Sequence, residues 1–140
     1  GQGPLRHGLE RAAGELGVGE QVVFHGAVDR AAMPGLYRAA DLGLLSSRHE
    51  SQALVVFEAA ACGRATVGPA VGALPDILPA NAAIAPGDPE SLAAAIDSLI
   101  VDGGRLAAGG AESAALVRAE GSLERSVAAL NWIYAAAGQR

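Results

Sequence analysis

Short apolar segments alternate with helical segments along the chain, and this alternation restricts the fold more than any other feature. Four apolar runs indicate strands that are buried on both faces, at residues 21–25, 42–45, 65–67 and 82–85. Helical segments of about ten residues separate these runs, which is typical of βαβ units. The sequence therefore predicts an α/β fold in which a doubly wound parallel sheet lies between two layers of helices.

Capping residues, prolines and glycines indicate the helix boundaries. The strongest start signal is Asp88-Pro89-Glu90, which combines an N-cap acceptor, a first-turn proline and a carboxylate near the positive end of the helix dipole. The glycine pair at 103–104 is predicted to break that helix, and residues 68–81 are predicted to form a loop with one or two helical turns. The other predicted helices cover residues 4–16, about 32–40, 53–62, about 105–118, and a last segment from 122. We assign to the core the apolar stripe of this last helix: Leu123, Val127, Leu130 and Tyr134, with Trp132 beside it.

Charge and cysteine content exclude several classes of function. The chain has 15 acidic and 10 basic side chains, and its net charge of -5 argues against a nucleic-acid partner. The single cysteine, Cys62, excludes an internal disulfide and a Cys-based zinc site, and we interpret it as a buried structural thiol. No apolar run approaches the roughly 20 residues that span a bilayer, and no export leader is visible. We therefore expect a cytoplasmic protein.

A polar loop at residues 46–52 joins the second predicted strand to a helix, at the sheet edge where such folds bind ligands. Glu50 lies in this loop and Glu58 lies in the second turn of the helix. The backbone N–H groups of residues 53–55 have no intrahelical partners and would stabilise an anion. A carboxylate beside such a site can accept two hydrogen bonds from the vicinal diol of a ribose or a sugar. The pattern predicts phosphate recognition between two diol-binding carboxylates.

Six motifs resemble, in the same order, those of a known family. They are a Gly-x-Gly-Pro turn at 1–4, a Val-x-Phe-x-Gly-x-Val-like strand at 23–28, a Leu-Tyr-x-x-Ala-Asp helix at 33–41, the segment 47–63 with both glutamates, a Val-Gly-Gly-x-Pro-Glu-like loop at 71–76, and the helix start at 88–90. Nearly the whole chain is thus similar to the C-terminal nucleotide-sugar-binding domain of the retaining glycosyltransferases of the GT-B fold, group 1 (family four). The resemblance implies a Rossmann-like α/β/α domain and transfer of a hexosyl group.

The resemblance also implies the role of each site residue. Glu50 is the expected catalytic residue, which contacts the transferred sugar and stabilises an oxocarbenium-like transition state. Glu58 is expected to hold the ribose hydroxyls of the nucleotide-sugar donor. Such enzymes retain the anomeric configuration and need neither metal ion nor cofactor, in agreement with the absence of an Asp-x-Asp pair. The other expected donor-binding residues are Ser47, Gln52, Ala53, Leu54 and Val55 near the diphosphate and sugar, and His25, Gly26 and Val28, whose backbone groups would receive the base.

The chain departs from the family pattern at the candidate site. Where the family has Glu-Gly-Phe-Gly, this chain has Glu-Ser-Gln-Ala at residues 50–53. Glycine at the last of these positions lets the sugar approach the backbone closely, so the methyl group of Ala53 is expected to shrink the donor pocket or to displace the sugar. Ala73 in place of glycine and Asp76 in place of glutamate are milder changes.

The chain begins at Gly1, without methionine and in the middle of a motif, so we interpret residues 1–140 as a single partial domain of a longer protein or of an incomplete gene. The resemblance implies that a first βα unit, with the Arg and Lys that neutralise the diphosphate, and an N-terminal acceptor domain would precede it. The acceptor would be a sugar, a lipid or a small molecule, and the fragment alone is expected to be inactive. Peripheral membrane association of the full protein and dimerisation through exposed apolar surface stay open.

Two alternative functions also stay open. One is a non-catalytic module of the same fold that binds a nucleotide or another protein, which Ala53 and the missing cations favour slightly. The other is a different GT-B enzyme, such as a sugar-nucleotide epimerase or a phosphorylase.

Overall fold

A computed structural model of the chain describes residues 2–71, 83–84 and 88–137. The chain divides into two units, Gly1–Met33 and Pro34–Arg140. A short 3-10 helix, Gly19–Gln21, follows the first α-helix. The other elements, in chain order, are α1 (Arg6–Glu15), α2 (Met33–Ala39), β1 (Gly43–Leu44), α3 (Leu54–Ala61), β2 (Thr66–Pro69), β3 (Ala83–Ile84), α4 (Pro89–Ile100), α5 (Gly103–Glu120) and α6 (Leu123–Ala137).

The first unit contains α1 but not the strand that was predicted at residues 21–25. Residues 22–26 belong to no strand, and the side chain of Val23 is 71% exposed. The Phe24 carbonyl accepts a hydrogen bond from the guanidinium group of Arg6 at 3.2 Å, and that guanidinium lies 5.6 Å from the centre of the Phe24 ring. The prediction of a strand buried on both faces is wrong. An apolar run forms such a strand only where other elements of the fold cover both of its faces.

The second unit contains a parallel sheet in which the strand order is β1-β2-β3. Gly43 on β1 pairs with Thr66 on β2, and Gly68 on β2 pairs with Ala83 on β3. The central strand β2 is buried along its whole length, as predicted. The predicted strands around β1 and β3 are also confirmed, although residues 82 and 85 lie outside the described part. Burial on both faces is wrong for β1, where Leu44 is more than half exposed, because β1 is the edge strand of the described sheet.

Helices pack against the sheet through small side chains. Both α3 and α4 contact β2, α4 also contacts β3, and α5 contacts α3 and α4. The predicted α/β, Rossmann-like fold class is confirmed by this arrangement of parallel strands and helices. Such small side chains let helices approach the strands closely, so the core is built from few large residues. In the described part of the second unit the buried residues are Ala53, Val56, Ala59, Ala60, Ala65, Thr66, Val67, Gly68, Pro69, Leu99, Gly110, Ser113 and Ala114.

Local capping explains where α3 and α4 end and begin. Gly63 follows α3 with a φ of 75°, its N–H donates to Ala60 O at 2.8 Å, and the N–H of Arg64 donates to Ala59 O at 3.0 Å. This pair of bonds is a Schellman motif, which requires the left-handed conformation that glycine adopts without strain, and it confirms the predicted stop. The predicted start of α4 is confirmed as well, because Asp88 Oδ1 accepts hydrogen bonds from the next two N–H groups at 3.1 and 3.3 Å.

The predicted helix break at residues 103–104 is displaced. Helix α4 ends at Ile100, and Asp102 caps α5 by accepting hydrogen bonds from the N–H groups of Gly104 and Arg105 at 3.0 and 3.2 Å. The two glycines are therefore the first residues of α5, because the aspartate in front of them supplies the acceptor that a helix start needs.

The assignment of the last helix to the core is wrong. Every side chain from residue 123 to residue 135 is exposed, and Trp132 is 73% exposed. The spacing of apolar residues identifies the apolar face of a helix. It does not show whether another part of the protein covers that face. The helical turns predicted at 68–81 fall mostly on residues 72–82, outside the described residues. No helix in the part of the chain that the structure describes is long and apolar enough to cross a membrane.

Candidate functional site

The loop between β1 and α3 ends in an unusual backbone conformation. Ala53 is the N-cap of α3, with φ 48° and ψ 58°, in the left-handed region that non-glycine residues rarely adopt. Because Leu54 and Val55 are the first two residues of α3, their N–H groups have no acceptor one turn earlier in the helix. The start of α3 thus presents backbone donors and the positive end of the helix dipole, as the sequence predicted.

Packing holds Ala53 in this conformation. The residue is only 6% exposed, and with Val56 it forms an apolar cluster against which Leu45, Phe57 and Val71 pack. A left-handed alanine costs about 1–2 kcal/mol, which the surrounding contacts must offset. The family glycine that Ala53 replaces therefore stands at a position where the backbone itself favours glycine.

Glu50 is tied to another predicted site residue. The hydroxyl of Ser47 donates a hydrogen bond to Glu50 Oε1 at 2.7 Å, and both side chains are partly buried. The expected contact of Ser47 with the donor stays a prediction, but its hydroxyl has a defined partner within the loop. The bond limits the orientations that the Glu50 carboxylate can adopt.

Glu58 is held by a residue that the sequence analysis missed. Tyr37 on α2 donates its hydroxyl to Glu58 Oε2 at 2.8 Å. Burial of the ring and the hydrogen bond to Glu58 raise the pKa of Tyr37 from its ordinary value of 10.0 to about 12. In the sequence Tyr37 belongs to the Leu-Tyr-x-x-Ala-Asp motif and to one side of the helix predicted at about 32–40. A half-buried tyrosine usually needs a partner for its hydroxyl, which is a signal that could have pointed to this role.

The remaining predicted residues occupy varied environments. Gln52 is exposed in the loop. Cys62, the C-cap of α3, is only partly buried, whereas a buried structural thiol was predicted. In the first unit His25 is exposed and Val28 is half-buried, and Gly26 has a φ of 73°.

A cavity of about 260 Å³ opens where the described strands end and α4 begins. Its lining combines three polar or charged residues with four apolar ones: Ser46, Arg48 and Asp88, and Leu45, Pro69, Pro89 and Leu92. This is the carboxyl edge of the parallel sheet, where ligands of α/β folds bind. Within the described ranges, no group of three or more His, Cys, Asp or Glu side chains could hold a metal ion.

The sequence profile of the family described as "Glycosyl transferases group 1" matches residues 1–102. A D-inositol 3-phosphate glycosyltransferase from Xylanimonas cellulosilytica is 37% identical over 135 residues, which are 94% of this chain and 32% of that protein. The chain therefore belongs to the group 1 glycosyltransferase family, as the motifs indicated. It spans about a third of the length of this relative.

Solved structures agree with this assignment. The sucrose-phosphate synthase of Thermosynechococcus elongatus superposes with a TM-score of 0.89 at 26% identity, over 99% of this chain and 36% of that one. Anabaena HepE in complex with UDP superposes with a TM-score of 0.73 at 27% identity, over 79% of this chain and 31% of that one. The same Anabaena protein has also been solved with UDP and glucose. These similarities confirm the GT-B class.

Proposed function

We propose that the chain is the donor-binding half of a glycosyltransferase that moves a sugar from a nucleotide-sugar to an acceptor with retention of configuration and without a metal ion. One observation carries this proposal. Glu50 and Glu58 flank the start of α3, and a protein hydroxyl already holds one oxygen of each carboxylate. Each carboxylate keeps further acceptor capacity for the hydroxyl groups of a ligand.

In this proposal the diphosphate of the donor lies at the start of α3. The N–H groups of Leu54 and Val55 and the helix dipole stabilise its negative charge. Glu58 accepts hydrogen bonds from the ribose. The UDP complex of the Anabaena neighbour supports a nucleoside diphosphate as the ligand class.

Glu50 acts on the reacting sugar. As the bond between the anomeric carbon and the diphosphate breaks, the bonding electrons leave with the diphosphate and positive charge develops on the sugar ring. The Glu50 carboxylate, oriented by Ser47, stabilises that charge electrostatically. The hydroxyl oxygen of a sugar, a lipid or a small-molecule acceptor then bonds to the anomeric carbon on the face that the diphosphate leaves, and the hydroxyl proton passes to the departing diphosphate.

Nucleotide titration of the complete protein tests the assignment of Glu58. We expect UDP, GDP or ADP to bind, and Glu58→Gln to weaken that binding at least tenfold, because charge-assisted hydrogen bonds contribute about 1.5–3 kcal/mol each. Glu112→Gln on the exposed surface of α5 is the matched control and should leave the affinity unchanged. Unchanged affinity in the Glu58 variant would contradict the assignment.

Product analysis tests the reaction. Incubation with a nucleotide-sugar and candidate acceptors in the presence of EDTA should yield a glycoside whose anomeric configuration, read by NMR, equals that of the donor. Inversion, or activity that EDTA abolishes, would refute retention or metal independence respectively. Epimerised or phosphorolysed products would favour the other GT-B enzymes, and nucleotide binding without any turnover would favour a non-catalytic module.

A further inference from the structure

The contact between Tyr37 and Glu58 joins two helices at the candidate donor site. The phenolic hydroxyl of Tyr37 donates to only one of the two carboxylate oxygens, Oε2, at 2.8 Å. In the described part of the chain, Oε1 accepts no hydrogen bond from the protein. One oxygen of Glu58 is therefore anchored, while the other has no hydrogen-bond donor among the described residues.

The tyrosine is itself held in place. Its neighbour on α2, Arg38, accepts a hydrogen bond at its carbonyl oxygen from the guanidinium group of Arg64, at 2.6 Å. Arg64 follows directly on the glycine that ends α3, so two consecutive residues of α2 are bonded to the α3 segment. The ring of Tyr37 is half-buried, which restricts its motion further.

Glu58 needs such an anchor because its side chain is exposed. A free glutamate samples many rotamers, and fixing it when a ligand binds costs conformational entropy. A donor that fixes the carboxylate before the ligand arrives lowers that cost. Tyr37 can donate this bond at neutral pH, because even the ordinary tyrosine pKa of 10.0 lies well above 7, and the site raises the pKa to about 12.

We propose that Tyr37 is a positioning residue of the donor site, whose hydroxyl orients the Glu58 carboxylate so that its other oxygen binds the ribose hydroxyls of a nucleoside diphosphate. This inference rests on the proposed function, in which Glu58 holds the ribose. It adds a residue on α2 that determines how well the ribose is recognised.

The test compares two ligands in the complete protein by titration calorimetry. They are UDP and 2′,3′-dideoxy-UDP, or GDP or ADP with the matching dideoxy analogue if that is the nucleotide that the protein binds. Wild type should bind UDP more tightly than the dideoxy analogue. Tyr37→Phe should weaken UDP binding about fivefold to tenfold, the effect of losing one hydrogen bond, and should change the affinity for the dideoxy analogue less than twofold. In a Glu58→Gln background, Tyr37→Phe should have little further effect.

Tyr134→Phe is the matched control, because Tyr134 is the other tyrosine of the chain and is exposed on α6. This substitution should leave the affinity for both ligands unchanged. Thermal unfolding monitored by circular dichroism shows that each variant is folded at the temperature of the titration.

Three results would overturn the proposal. If Tyr37→Phe lowers the affinity for both ligands equally, the hydrogen bond only links the two helices. If it lowers the affinity for neither ligand, the hydrogen bond does not contribute to binding. In both cases the proposed function stands, provided that wild type still prefers UDP and Glu58→Gln abolishes that preference. If wild type binds none of UDP, GDP and ADP, or binds the nucleotide and its dideoxy analogue equally well, the assignment of Glu58 to the ribose fails, and the role of Tyr37 fails with it.

Discussion

Gly110 on α5 lies so close to the carbonyl oxygen of Gly63 that a Cβ atom at position 110 would overlap it. The neighbouring Gly109 is different, because a Cβ atom there would lie 3.5 Å from Ala65 Cβ, an ordinary van der Waals contact. The absence of a side chain at one position of α5 thus sets how closely this helix approaches the end of α3.

Alanine at these two neighbouring glycines should therefore have opposite effects on stability. Gly109→Ala should stabilise the protein by about 0.5–1 kcal/mol, the usual gain inside a helix. Gly110→Ala has the same favourable effect on the helix, but its methyl group must displace the backbone at Gly63. Because overpacking of this kind costs about 1–3 kcal/mol, the substitution should lower the free energy of unfolding. Urea unfolding of both variants measures the difference. Equal effects would show that α5 does not contact Gly63 in this way.

The left-handed conformation of Ala53 predicts a substitution that is unusually well tolerated. Ala53→Gly removes a strain of about 1–2 kcal/mol, and it loses a buried methyl group worth about 0.8 kcal/mol and some unfolded-state entropy. Its net effect on the free energy of unfolding should stay within about 1 kcal/mol.

The control is Ala60→Gly, which is equally buried but lies inside α3. It loses the same methyl group and about 1 kcal/mol of helix propensity, so it should destabilise by about 2 kcal/mol. Equal losses at the two positions, measured by chemical unfolding, would refute the positive φ of Ala53.

The bond from Ser47 to Glu50 predicts a kinetic effect. If Glu50 stabilises the transition state, Ser47→Ala should lower kcat of the complete enzyme about fivefold to tenfold, because the carboxylate loses a hydrogen bond that orients it. KM for the donor should change less than twofold. Ser51→Ala, in the exposed part of the same loop, should leave both constants unchanged. A rise in KM at unchanged kcat would mean that Ser47 binds the donor directly.

Lowering the pH should destabilise the N-terminus of α4. The side-chain hydrogen bond from Ser91, with further bonds from backbone N–H groups, holds the pKa of Asp88 below its ordinary value of 3.8. A lowered folded-state pKa contributes stability above pH 3.8, and that contribution is lost as the pH falls through the folded value. Glu10, whose pKa is lowered mainly by its hydrogen bond from Arg6, contributes in the same acidic range.

Asp88→Asn keeps an N-cap acceptor but does not titrate in this range. The variant should therefore lose less stability than wild type between pH 5 and about pH 2, as measured by urea unfolding at each pH. Asp97→Asn, in the last part of the same helix, is the control and should follow wild type. Parallel losses in all three proteins would exclude a role for Asp88 in acid unfolding.

Features that depend on a few neighbouring residues were predictable. The cap at Asp88 and the stop at Gly63 follow from bonds between residues at most five positions apart. Strand β2 was predictable because its apolar run lies at the centre of the described sheet and is covered on both faces. The two glutamates were found because they belong to one loop and the helix that follows it.

Features that depend on partners distant in the sequence were not predictable in the same way. The apolar runs at 21–25 and on α6 have the pattern of buried elements, yet Val23 and Trp132 are largely exposed. Tyr37 and Glu58 are 21 positions apart, and only the folding of the chain brings their side chains within hydrogen-bonding distance. Short segments of the sequence determine local hydrogen bonds and the periodicity of apolar residues. Burial and the pairing of distant residues depend on which surfaces come into contact when the chain folds.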